Sequence, residues 1–211
     1  MNQMNVSLFI LFLGILLISS LMDLLIPILL GRKYPGYSHL LDTISELGSN
    51  TSQVQKFECL NLIVVGMLLI LFSVGQFLGF EAIRWSHKLY LAGIVLFGVG
   101  TVLAGFFHED PKLVKETFSG KIHGISSGIG FIFLILNPFW AIWIAEFSGL
   151  RFINFTLFTG ALLTFVLFLL SENRIKGFLK YTGLLQRLNL IILYAALVMN
   201  YVSNFYTQIS I

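Results

Sequence analysis

Gly105-Phe-Phe-His108-Glu-Asp110-Pro111-Lys-Leu-Val-Lys-Glu-Thr-Phe-Ser-Gly120-Lys-Ile-His123-Gly124-Ile-Ser-Ser-Gly128 is a polar island in a chain that is otherwise mostly apolar. It holds two of the four histidines and a cluster of charge. The apolar runs on either side are long enough to cross a bilayer core, which takes about 20 helical residues. The stretch therefore reads as the joint between two membrane-spanning helices. The same reading, carried outward, gives the rest of the fold.

Six apolar runs predict helices over about 6–31, 56–80, 85–107, 122–147, 150–170 and 188–206. The expected architecture is an all-α, polytopic membrane bundle of six transmembrane helices, one domain over residues 1–211. Composition agrees. Charged residues are 11% of the chain, against about 25% in a soluble domain. A net charge of +3, scattered along the chain, gives no nucleic-acid footprint. The single cysteine, Cys59, excludes an internal disulfide and any cysteine-based metal motif.

The first run has a rival reading as a signal peptide. It lacks the basic flank and the small-residue cleavage site that such a segment needs, and Arg32 and Lys33 follow it. A retained helix is expected. Residues 32–55 then form a long polar connection, in which Tyr37 to Gly48 predicts a short helix closed by the glycine. Asn137-Pro138 falls inside the fourth run, where the proline removes a backbone donor and predicts a kink. Gly120, Gly124 and Gly128 share one helix face and predict close approach of a neighbouring helix.

Six spans place both termini on one side. Arg32, Lys33, Lys56, Lys112, Lys115, Lys121, Arg174, Lys176, Lys180 and Arg187 then share the face of loops one, three and five. Only Arg84, Lys88 and Arg151 lie at the other. This asymmetry predicts that loops one, three and five are cytoplasmic and the termini outside.

The polar residues gather at that same face. Asp23 lies two turns from the end of the first helix. His39, Asp42, Ser45 and Glu46 are in loop one, and Glu58 and Asn61 open the second helix. His108, Glu109 and Asp110 close the third. His123, Ser126 and Ser127 open the fourth, and Arg187 and Asn189 the sixth. A carboxylate at helix depth is costly against lipid, so Asp23 is expected to face the bundle or a wet cavity. The bland alternatives are an interfacial acid at Asp23 and a helix-start histidine with a satisfied hydrogen bond at His123.

Three chemistries fit these residue types. A nucleophilic site takes Ser45 as nucleophile, His123 as base and Asp110 as orienting acid. A zinc site would draw on His39, His108 and His123 with Asp110, though no pair has the helix spacing of a known zinc motif. Haem between His108 and His123 is disfavoured, because both lie near the rim. No cofactor is expected, with zinc as the alternative.

Three segments also resemble one family. They are Ile44-Ser45-Glu46-Leu47-Gly48, then Ala104-Gly105-Phe106-Phe107-His108-Glu109-Asp110 leading to Gly120-Lys-Ile-His123-Gly124, and Tyr181-Thr-Gly183-Leu184-Leu185-Gln186-Arg187 before the last helix. In this order they resemble the DUF998 family, six-span and mostly bacterial membrane proteins of unestablished function. The resemblance implies a bacterial cytoplasmic membrane and a polar cluster of Ser45, Asp110, His123, Gln186 and Arg187. It departs at His108, where the family pattern has a proline, and this weakens the three-histidine site.

Three functions remain open. An enzyme acting on a lipid or amphiphile would use Ser45, His123 and Asp110, with Arg187 holding an anionic head group and Gln186, Asp23, His39 and Glu58 completing the binding site. A binding or transport module would use the same groups without bond cleavage, with Asp23 on the pathway. A structural or protective protein, partnered with another membrane protein, would use them as a clamp.

Overall fold

The computed structural model describes residues 6–79, 85–111, 116–145, 148–172 and 180–209. These residues form six α-helices: α1 (Val6–Gly31), α2 (Gln55–Gly79), α3 (Trp85–Phe106), α4 (Phe118–Ile144), α5 (Ser148–Glu172) and α6 (Thr182–Ile209). One 3-10 turn covers Ser45–Gly48. No strand occurs among the described residues. The shortest helix has 22 residues, which at about 1.5 Å per residue still spans a hydrocarbon core of about 30 Å. All six are long and apolar enough to cross a membrane. The all-α, six-span expectation holds.

Each helix packs on its successor, α1 also meets α6, and α6 meets α4. Leu16, Val65, Leu69, Ile94, Leu134, Leu193 and Leu197 form the buried centre, with Tyr90, Phe97, Tyr194 and Tyr201 around them. In lipid there is little hydrophobic drive between helices, so close packing and interhelical polar bonds hold the bundle. The tightest packing joins α2, α3 and α4 through the glycines of α3. A side chain at Gly98 would strike the Gly66 carbonyl, and one at Gly100 the Ser126 carbonyl. The row of Gly120, Gly124 and Gly128 does something else. Gly120 lies against the Asp110 carboxylate, while Gly124 and Gly128 face open space. The close approach expected there is made by α3's glycines instead.

Two helices begin earlier than expected. α4 starts at Phe118 because Thr117 caps it, its hydroxyl accepting the Gly120 N–H at 3.2 Å. α6 starts at Thr182, so Gln186 and Arg187 sit on the helix and not in the connection before it. The helix expected over Tyr37 to Gly48 reduces to the 3-10 turn, because side chains capture the backbone donors a helix needs. Asp42 Oδ2 accepts from the Ser38 N–H at 2.8 Å. Glu46 Oε1 accepts from the Thr43 N–H at 3.3 Å, and Gln186 Oε1 from the Ile44 N–H at 2.7 Å. α4 runs through Pro138, with Asn137 beside it donating to the Tyr90 carbonyl at 3.1 Å. Arg84, Lys112, Lys115, Arg174 and Lys176, used above for topology, lie outside the described residues.

Candidate functional site

The site lies at the end of the bundle where loop one meets the first turns of α4 and α6. Loop one is fastened there by α6. Arg187 Nη1 donates to the carbonyls of His39 at 2.8 Å, Asp42 at 3.1 Å and Gly183 at 2.9 Å. Its Nη2 donates to the Tyr37 hydroxyl at 2.5 Å and lies 3.5 Å from His39 Nδ1. The Leu184 N–H donates to the Leu40 carbonyl at 3.1 Å. Gly183 packs so close to the Asp42 carbonyl that any side chain would strike it. Burial pushes the Tyr37 phenol up to about 12, although Arg187 pulls the other way. Partial burial, and then the charge of Arg187, hold the His39 imidazole below its usual value.

His123 is buried at 4% exposure in the second turn of α4. Its Nδ1 lies 2.9 Å from the Phe107 carbonyl and 3.1 Å from the Ala104 carbonyl. Carbonyls only accept, so Nδ1 carries the hydrogen. Nε2 is buried and has no hydrogen-bond partner among the described residues. Backbone at the end of α3 therefore orients the ring. Asp110 is engaged elsewhere: it accepts from the Thr117 N–H at 2.6 Å and from the Thr117 hydroxyl at 2.8 Å. Those bonds, the backbone one first, hold its carboxyl below the usual range. Asp110 thus shapes the start of α4 and is not the group that holds the imidazole.

Two cavities meet at His123. The smaller, of about 40 Å³, reaches inward and is lined by Asp23, Ser45, Thr101, His123, Ser127 and Gln186 among others. The larger, of about 120 Å³, is a crevice between α4, α5, α6 and loop one. Its polar lining is Thr43, Ser45, Glu109, His123, Ser127 and Gln186. Its apolar lining is Phe131 of α4 with Phe165, Phe168 and Leu169 of α5. Gly124 and Gly128 line it without side chains. Ser45, His123, Ser127, Phe131 and Gln186 line both cavities.

Deeper in, Asp23 is 3% exposed and accepts from the Tyr194 hydroxyl at 2.7 Å. Glu58 is fully buried, and neither of its carboxylate oxygens has a partner among the described residues.

Residues 17–203 match the family profile described as protein of unknown function, DUF998. The chain belongs to the DUF998 family. No curated protein and no solved structure matches it.

The match takes in every site residue named above. In this DUF998 protein, Ser45 and His123 share the cavities with Gln186, whereas Arg187 and His39 belong to the loop-one clamp. Asp23 lines the inner cavity, and Glu58 lines neither cavity. His39, His108 and His123 do not come together, and no cluster of three metal-ligating side chains occurs among the described residues. The His108 carbonyl accepts from the Ser119 hydroxyl at 3.1 Å. Sequence reasoning missed Tyr194, the partner of Asp23, and Thr117, the partner of Asp110. A cap rule finds Thr117, since a threonine precedes the apolar run. Nothing local in the sequence points from Asp23 to Tyr194.

Proposed function

We propose that this membrane protein binds an amphiphile in the crevice between α4 and α5, with the head group against Ser45, His123, Ser127 and Gln186. The observation that carries this reading is the crevice itself, which combines polar groups of loop one, α4 and α6 with an apolar lining from α5, and in which Gly124 and Gly128 leave space. A site that takes one end of a lipid and solvates the other needs this division. The orphaned Nε2 of His123 supplies a polar atom that gains a partner when a head group binds. Arg187 acts indirectly, since both of its Nη atoms are spent on loop one. On this reading the face of loop one is the cytoplasmic face of a bacterial membrane, which cysteine labelling from either side would test.

Native mass spectrometry on the purified protein tests the reading. The wild type carries a lipid or amphiphile adduct, and Gly128→Leu, which puts a side chain into the open space of the crevice, loses it. An adduct of unchanged occupancy in Gly128→Leu overturns the proposal, as does a bare wild type.

A hydrolytic use of the same crevice is favoured by one further observation. His123 is held through Nδ1 with Nε2 left to accept a proton, and Ser45 lines the same cavities. A serine-directed phosphonate probe that labels Ser45 in the wild type and not in His123→Ala supports catalysis. Absence of labelling in the wild type leaves binding as the function.

A further inference from the structure

We propose that Asp23 and Glu58, with Asn61, form an intramembrane cation site that takes one positive charge, either a proton or a small monovalent metal ion. None of the three residues lines the crevice, and the site does not depend on what the crevice binds.

Glu58 is fully buried in the first turn of α2, and Asp23 is 3% exposed on α1. The two carboxyl groups are near enough to act on each other's charge. The groups facing Asp23 are Tyr194 and Glu58. Those facing Glu58 are Asp23, Asn61 and Arg187, with Tyr37 and Cys59 further out. Two carboxylates thus face one permanent cation, and that guanidinium is hydrogen-bonded to loop one and Tyr37. One further positive charge balances the group. Intramembrane carboxylates without such balance are expensive and mark ion or proton sites.

A buried amide beside Glu58 also lacks partners. Asn61 is 3% exposed, and neither its amide nitrogen nor its amide oxygen has a partner among the described residues. It lies one turn along α2 from Glu58 and is aimed at the Glu58 carboxylate, close enough to act on it yet off hydrogen-bond geometry. Both Glu58 oxygens are likewise orphaned. Buried polar atoms are nearly always satisfied, so three orphaned acceptor oxygens one turn apart, two on Glu58 and one on Asn61, point to an absent positive partner. Carboxylate and amide oxygens suit a hard cation. A cation reaches the Asp23 side of the site through the inner cavity, which Asp23 lines together with Ser45, Thr101 and His123.

The test uses the full-length protein in nanodiscs, with two arms that separate the sources. The first arm follows thermal unfolding in sodium against choline at fixed ionic strength. A metal-ion site raises Tm by roughly 5 °C at saturating sodium, and Glu58→Gln abolishes the rise. The second arm records the infrared band of protonated carboxyl at neutral pH in sodium-free buffer. A proton site shows that band, and carbon-13 labelling of glutamate or aspartate moves it in the wild type, so no variant has to fold. Either result supports the site. Absence of both the sodium-dependent rise and a buried protonated carboxyl overturns it.

Discussion

Gln186 Oε1 accepts the backbone N–H of Ile44 at 2.7 Å, and so ties the start of α6 to the residue before Ser45 across 142 positions of sequence. The residue after Gln186 completes the fastening, since Arg187 reaches the carbonyls of His39 and Asp42. The Gly183-Leu-Leu-Gln-Arg187 element is therefore the device that shapes loop one and sets Ser45 into the cavity wall. Gln186→Ala leaves the Ile44 N–H buried without an acceptor, at a cost of about 1–3 kcal/mol. Gly183→Val drives a side chain into the Asp42 carbonyl and costs more. Both are expected to lower Tm and to open loop one to proteolysis, with Gly183→Val the more severe. Unchanged loop-one proteolysis in both variants would contradict the clamp.

The clamp has a pH window. Burial raises the Tyr37 phenol to about 12 from 10.0. The folded protein then retains a proton that the unfolded chain has lost, so this contribution is intact below pH 10 and is lost as pH rises toward 12. His39 titrates below its ordinary 6.5, chiefly through desolvation. Its contribution is present above that value and is lost as pH falls through the folded one. Loop one is expected to be best protected from amide exchange between these limits. Tyr37→Phe removes the alkaline dependence and leaves the acid one. Protection that stays flat from acid to alkaline pH would refute the assignment.

Asp110 gives a separate acid dependence. Its two bonds to Thr117 depress its carboxyl, so the support it gives to the start of α4 is present above the unfolded value of 3.8 and is lost as pH falls through the lower folded value. Amide exchange at Thr117, whose N–H Asp110 accepts, and at Gly120, whose N–H Thr117 accepts, is expected to accelerate in that acid range in the wild type. In Asp110→Ala it is already fast at neutral pH and insensitive to acid. His123, held by carbonyls of α3, keeps its Nδ1 bonds in both proteins.

The spans were legible because hydropathy and length decide them almost alone. Val6–Gly31 came out to the residue, where a basic pair ends the apolar run. The common depth of Asp23, Ser45, His123 and Gln186 was legible for the same reason: a polar residue near a span's end has few heights at which to sit. Partners were not legible. Asp110 and His123 are types that pair in many enzymes, yet Thr117 competes for Asp110 and the frayed carbonyls ending α3 compete for His123. Such backbone acceptors carry no sequence signature. The glycines misled in a similar way, since one spacing serves close packing at Gly98 and an open wall at Gly128.

Far from the clamp, Asn154 and Asn200 exchange reciprocal amide bonds of 2.9 and 2.8 Å between α5 and α6. Asn154 is fully buried and Asn200 is 3% exposed. α5 otherwise turns much of its surface outward, with Phe152, Phe155 and Leu163 all exposed, so this pair is one of few polar ties between it and α6 among the described residues. Asn189 adds a second tie, its Nδ2 donating to the Ala161 carbonyl at 2.6 Å. Removing one member of the pair orphans the other amide, while replacing both by leucine removes the need for either bond. Asn154→Leu and Asn200→Leu are each expected to destabilise by about 1–3 kcal/mol. The double variant should cost less than the sum, with a coupling near the average of about 0.6 kcal/mol and below the maximum of about 1.7 kcal/mol for interhelical hydrogen bonds in a membrane. Unfolding of all four proteins in mixed micelles measures it. Strict additivity would mean that the two amides contribute nothing through each other, and that packing alone holds α5 to α6.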